Sequence, residues 1–130
     1  MDNNKEKEAL FIKQAKGFVH AGRGIMLFIK TTPKAWFHLF VMTCAVILGI
    51  YFHVTSLEWI MLIFAGSVVI VAEAFNTAIE IDINLTSPEY HPYARDTKDV
   101  AAGAVLIASL MALIVGIVIF FPYILVSFLA

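Results

Sequence analysis

The sequence predicts an all-α integral membrane protein, with an amphipathic interfacial helix at the amino terminus followed by three transmembrane helices. Composition is the first observation behind this. Of 130 residues, 61% are hydrophobic and 15% are charged, where a soluble domain carries about a quarter charged. The second observation is three long apolar runs, Ala35 to Val54, Trp59 to Ile79 and Val100 to Phe121. Each reaches the roughly 20 residues a helix needs to cross a bilayer. The chain is therefore expected to be one membrane domain. Residues 1–34 form its interfacial part, 35–54, 57–81 and 98–121 its spans, and 82–97 a cytoplasmic connection.

The amino-terminal part is a different kind of element from the spans. Between Ala9 and Ile29, Phe11, Ala15, Phe18, Gly22, Ile25 and Ile29 recur every three or four residues, and Lys13, Lys16, His20, Arg23 and Lys30 recur likewise on another face. That pattern belongs to a basic helix lying flat in the membrane interface. Gly22 and Gly24 weaken it, each by about 1 kcal/mol relative to Ala, and Pro33 should end it. Two roles fit the basic face: attraction to anionic lipid, or a cover over a phosphate-bearing ligand. No cleavable leader is expected, because these residues are polar and basic instead of a short apolar stretch.

Charge asymmetry orients the spans. Residues 1–34 carry seven Lys or Arg against three acids, and His53 to Glu58 carries no Lys or Arg. The positive-inside rule puts the amino terminus in the cytoplasm. The connection Ile81 to Asp99, with Arg95 and Lys98, is then cytoplasmic and the carboxyl terminus external. In the first span Cys44 reads as a packing residue, with no second cysteine to pair with. Trp36, Trp59 and Tyr123 read as interfacial anchors. No His or Cys pairing has metal-ligand spacing, and neither His38 nor His53 is given a chemical role.

The second span carries the polar stripe that matters. Glu73, Asn76 and Glu80 follow one another at spacings of three and four, so they share one helical face. An ionisable group inside a span is costly and by default marks function. Glu73 lies 14 residues past Trp59, about 21 Å along the helix, which sets it at a shallow depth on the inner side.

The connection that follows is dense in functional groups. Pro88 and Pro92 should break the second helix and pin a compact loop around Glu89, Tyr90 and His91. Asp96 or Thr97 is expected to cap the third helix, with Lys98 and Asp99 on its first turn. A helix start favours an anion, and Lys98 would add a positive charge for a phosphate. Ala101, Ala102, Gly103 and Ala104 then allow close helix approach.

These parts suit phosphoryl transfer. The reaction asks for a carboxylate to hold a divalent metal, a cation on the phosphates and a base for the accepting hydroxyl. An apolar setting helps a Glu take a proton from an alcohol. No glycine-rich phosphate loop is present, since Gly22 and Gly24 lack the strand context. The site would be built from side chains.

Glu73-Ala-Phe-Asn76-Thr77-Ala78-Ile79-Glu80, then Glu89-Tyr90-His91-Pro92, then Lys98-Asp99-Val-Ala-Ala-Gly-Ala-Val resembles the prokaryotic diacylglycerol kinase family, which includes the undecaprenol kinases. The resemblance covers nearly the whole chain, and its wording is closer to the undecaprenol kinase branch. It implies a homotrimer of three-span subunits that uses ATP and magnesium (Mg2+) to phosphorylate a lipid alcohol, undecaprenol or diacylglycerol.

Carried over by position, Glu73 matches the family's catalytic base and Glu80 its metal-binding carboxylate. Phe18, Asn76, Glu80, Glu89, Tyr90, His91, Lys98 and Asp99 match nucleotide-binding positions, Phe18 standing where a Tyr is frequent. Two positions depart from the pattern. Thr31 and Thr32 stand where an acidic metal ligand is expected, and Asn84 stands where an Asp is expected. Asp82, two residues from Glu80, points off the helical face. An impaired member that binds lipid or nucleotide, or serves as an accessory subunit, is therefore the alternative to a working lipid kinase. A transporter or channel is disfavoured, because the polar groups gather at one interface.

Overall fold

A computed structural model describes residues 3–129, and side-chain surroundings from residue 6 onward except at Ala9. Four helices follow in order: α1 (Asn3–Thr31), α2 (Pro33–Tyr51), α3 (Ser56–Thr86) and α4 (Pro92–Leu129). No strand occurs among the described residues. The last three helices are long and apolar enough to cross a membrane, so this is a membrane protein. The chain divides into two units, one carried by α1 and the other beginning at Lys34.

In the first unit, α1 runs straight through Gly22 and Gly24, although neither has a neighbour within 4 Å of the Cβ an alanine would add. Phe11, Phe18 and Ile25 on its apolar stripe stand exposed. The helix closes with the Thr31 hydroxyl donating to the Leu27 carbonyl and the Thr32 N–H donating to that of Phe28. Pro33 then ends it, as expected, and opens α2, where a missing N–H costs nothing.

In the second unit, α2 and α3 are joined by a tight left-handed cap. His53 takes φ of 53°, and the Val54 N–H donates to the Gly49 carbonyl at 3.1 Å while the His53 N–H donates to that of Ile50. These bonds satisfy carbonyls the helix end would leave bare. Thr55 opens α3 through a reciprocal cap. Its N–H donates to Glu58 Oε2 at 2.7 Å, and its hydroxyl accepts from the Glu58 N–H. Tyr123 of α4 donates to the same carboxylate oxygen at 2.9 Å, tying the turn to the third span.

Packing concentrates at this end of the bundle. Val54, Ile119 and Phe120 are buried, with Phe52, Trp59, Leu62 and Tyr123 against them. The Trp59 indole lies on Gly49, where an added Cβ would come within 2.8 Å of the ring, so Trp59 packs between helices as well as sitting near the span end. Gly49→Ala should lower unfolding stability in detergent by about 1–3 kcal/mol, the usual cost of overpacking against a rigid neighbour. A thermal melt beside the unsubstituted protein checks it.

Two boundaries differ from the sequence reading. The third span was expected from residue 98 after a connection of 82–97. Instead α3 continues to Thr86 and α4 begins at Pro92, leaving five residues, 87–91, between them. Pro92 has the fixed φ of a first helical position, and the His91 carbonyl accepts the first bond, from the Arg95 N–H at 3.1 Å. Neither Asp96 nor Thr97 is therefore a cap; the Thr97 hydroxyl bonds back to the Tyr93 carbonyl inside the helix. At the other end α4 continues through Pro122 to Leu129, past the expected stop at Phe121. A single proline is tolerated in a spanning helix whose other bonds persist.

Candidate functional site

The polar stripe of α3 folds inward. Among the described residues, Glu73 and Asn76 are the least exposed polar side chains, at 1% and 2%, and Thr77 joins them at 9%. The spacing that put Glu73, Asn76 and Glu80 on one face has a direct consequence: Asn76 Nδ2 donates to Glu80 Oε1 at 3.2 Å. The Thr77 hydroxyl donates to the Glu73 carbonyl at 2.9 Å. Two acceptors are left over. Glu73 Oε1 and Asn76 Oδ1 are buried and accept no hydrogen bond. An unmade bond at a buried polar atom costs about 1–3 kcal/mol, which is the signature of a place awaiting a donor.

Those two residues open into a cleft of about 240 Å³ whose other walls are Lys34, Phe37 and His38 of α2 and Ala102 and Val105 of α4. Its α4 wall is small and apolar. Ala101 beside it is buried, whereas Gly103 has nothing within 4 Å of an added Cβ. The expected close approach is therefore carried by alanine, not by the glycine. Phe37 and His38 also border a second, apolar groove of about 670 Å³ between α2, α3 and α4, which reaches Phe121 and Ile124.

Lys98 is drawn to the same end of α3. Its Nζ donates to Asn84 Oδ1 at 2.7 Å, one turn beyond Glu80. This contact connects α3 to α4 across the short loop. Asp99 turns elsewhere and meets Arg95 at 3.5 Å in an exposed pair, of the kind worth about 0–1 kcal/mol. Because α4 begins at Pro92, Lys98 and Asp99 lie on its second turn and not, as expected, on its first, so Lys98 does not stand at a helix start that would favour an anion. Its charge remains available.

Glu89, Tyr90 and His91 stand exposed on the loop, and the His91 ring lies 5.6 Å from that of Tyr93. Phe18 is 80% exposed on α1. Within the second unit the structure thus groups Glu73, Asn76, Glu80 and, through Asn84, Lys98; it leaves Glu89, Tyr90, His91 and Asp99 outside that group of contacts. From the sequence, Lys34 and Thr77 received no role in the site and His38 was assigned no chemical role, yet all three stand at or beside the cleft. For Lys34 and His38 a signal existed, a spacing of four that places both on one face of α2.

Among the described residues no three His, Cys, Asp or Glu side chains come near enough together to hold a metal ion. The donors on the α3 stripe are nonetheless all hard oxygens, two of them unpartnered. That chemistry fits a cation which takes one or two carboxylates and completes its shell with phosphates and water.

A family description for prokaryotic diacylglycerol kinase matches residues 19–120. The chain belongs to the prokaryotic diacylglycerol kinase family. It is similar to the undecaprenol kinase of Bacillus subtilis, with 36% identity over 107 residues that cover 82% of this chain and 87% of that protein. It is also similar to the diacylglycerol kinase of Synechocystis, at 32% over 76% of this chain and 57% of the relative. With the Escherichia coli diacylglycerol kinase it shares 33% over 54% of this chain and 57% of that one. Membership makes the protein a kinase, a phosphotransferase acting on an alcohol, within a membrane-spanning scaffold.

Proposed function

We propose that this kinase transfers the γ-phosphoryl group of ATP to a lipid alcohol, undecaprenol or diacylglycerol, at the cytoplasmic interface. The observation that carries this reading is Glu73: a buried carboxylate with an unpartnered oxygen, in a cleft that shares Phe37 and His38 with an apolar groove among the spans. An alcohol on a long apolar tail fits that arrangement. Its hydroxyl donates to Glu73 Oε1 while the tail stays in the groove or the adjoining lipid. The extent of similarity to the Bacillus undecaprenol kinase makes undecaprenol the first acceptor to try.

In the reaction Glu73 takes the hydroxyl proton as the alcohol oxygen bonds to the γ-phosphorus. The bond from that phosphorus to the bridging oxygen breaks, and ADP leaves. Glu73 is the base, and Asn76 holds Glu80 through the 3.2 Å bond while offering its own free oxygen to the cleft. Glu80 and the phosphates would hold magnesium, which would supply neutralising charge. Lys98 reaches the phosphates from α4, with Asn84 aiming its ammonium. Glu89, Tyr90, His91 and Asp99 border the nucleotide from the cytosolic side. To Phe18 on α1 falls a stacking contact with a nucleotide base, and α1 lies in the interface with its basic face toward headgroups.

The orientation belongs to the same reading, with the amino terminus and the 87–91 loop cytoplasmic and the carboxyl terminus external. So does a homotrimer, since a three-helix subunit has little interior and most of its large apolar side chains face outward. The test is an assay of the purified protein in micelles with radiolabelled ATP and magnesium, using undecaprenol and diacylglycerol side by side. Labelled lipid phosphate from either is expected. An intact protein that labels neither, with magnesium or with manganese, would sink the proposal.

A further inference from the structure

We propose that Lys34 is a further catalytic group of this kinase, its ammonium binding the phosphoryl group on the alcohol side of the transfer. The inference rests on the kinase reading of the Glu73 cleft and adds a residue to it. Lys34 and His38 are four apart on α2 and both line that cleft. Of its seven lining residues, Lys34 alone carries a permanent positive charge. The remaining walls are the His38 imidazole, the apolar side chains of Phe37, Ala102 and Val105, and, at Glu73 and Asn76, bare oxygen acceptors.

Charge balance gives that cation its task. A phosphoryl group in transit spreads negative charge over three equatorial oxygens. Brought beside the Glu73 carboxylate in an apolar setting, those oxygens are repelled unless a cation stands nearby. Lys98 does not line this cleft. It is held at the far end of the stripe by Asn84, 2.7 Å from its ammonium, one turn past Glu80. The acceptor side therefore depends on Lys34. A lysine suits the place, because a compact ammonium on a flexible stem can follow a moving phosphoryl group with three rotatable donors.

The phosphoryl group reaches Lys34 on two carriers, as the terminal phosphate of the nucleotide and as the phosphate of the lipid product. The test uses the full chain in micelles as wild type, Lys34→Met and Lys34→Arg. Lys34 is exposed at the helix start, so neither substitution should alter the thermal melt. Lys34→Met should lower kcat by about 10²–10³-fold, the usual effect of removing one group that stabilises transition-state charge. Lys34→Arg should keep most of the rate. Equilibrium binding supplies a readout that a structural role would not move. Wild type should bind the β,γ-imido analogue of ATP more tightly than ADP, and Lys34→Met should erase that preference if the contact is to the nucleotide. Weaker inhibition by the phosphorylated lipid would place the contact on the product instead. A Lys34→Met protein that keeps its kcat, that loses neither kind of phosphate binding, or that is matched in slowness by Lys34→Arg would overturn the inference. A wild type inactive on every lipid would defeat the kinase reading, while the nucleotide comparison would still decide Lys34.

Discussion

Glu73→Gln should reduce kcat for lipid phosphorylation by about 10²–10⁴-fold, the range for removing a positioned general base, with little change in KM for ATP. Gln is nearly isosteric and keeps an oxygen acceptor in the cleft, so the alcohol can still bind. What it lacks is the ability to take the proton. The substitution should also spare the fold. A buried carboxylate with an unpartnered oxygen is a burden on stability, and a neutral amide in its place should raise the melting temperature or leave it unchanged. Loss of rate together with an equal or higher melting temperature distinguishes a functional residue from a structural one. Steady-state kinetics and a thermal melt on the same preparation read both.

Glu80→Gln should cost about 10²-fold or more in kcat at millimolar magnesium, because it removes the one carboxylate that the stripe offers to the metal beside Glu73. Asn76→Ala is the informative companion. Asn76 orients the Glu80 carboxylate through a 3.2 Å bond, and loss of such an orienting partner typically weakens metal binding by 10–100-fold. Asn76→Ala should therefore be partly rescued by raising magnesium, while Glu80→Gln should not be. A magnesium titration of the initial rate for both variants separates orienting from ligating. Equal curves for the two would remove Glu80 from the metal role assigned to it.

The spans and the stripe were legible in the sequence because both depend on short-range regularities. Apolar length alone marks a spanning helix, and spacings of three and four determine which side chains share a face, so the Asn76–Glu80 contact follows from the sequence numbers. The start of α4 was misplaced because two readings of one segment competed. Asp96 and Thr97 are good caps in isolation, but Pro92 four and five residues earlier is a better helix opener, and the helix forms at the first competent start. The cleft was half legible. Its α3 wall could be read from charge in an apolar run, whereas Lys34 and His38 come from α2, far away in sequence. Only the way three helices stand against one another brings them to Glu73, and no local pattern encodes that. The latch from Tyr123 to Glu58, 65 residues apart, was invisible for the same reason.

The central claim is that a lipid alcohol gives its proton to Glu73 as it accepts the phosphoryl group. Single-turnover transfer isolates that step from binding and product release. With enzyme in excess over radiolabelled ATP, saturating lipid alcohol and magnesium, wild type should move the label from ATP to lipid in one exponential phase. Glu73→Gln, with the nucleotide bound as tightly, should leave nearly all of it on ATP over the same interval. Transfer by Glu73→Gln within a few-fold of the wild-type rate would contradict the account.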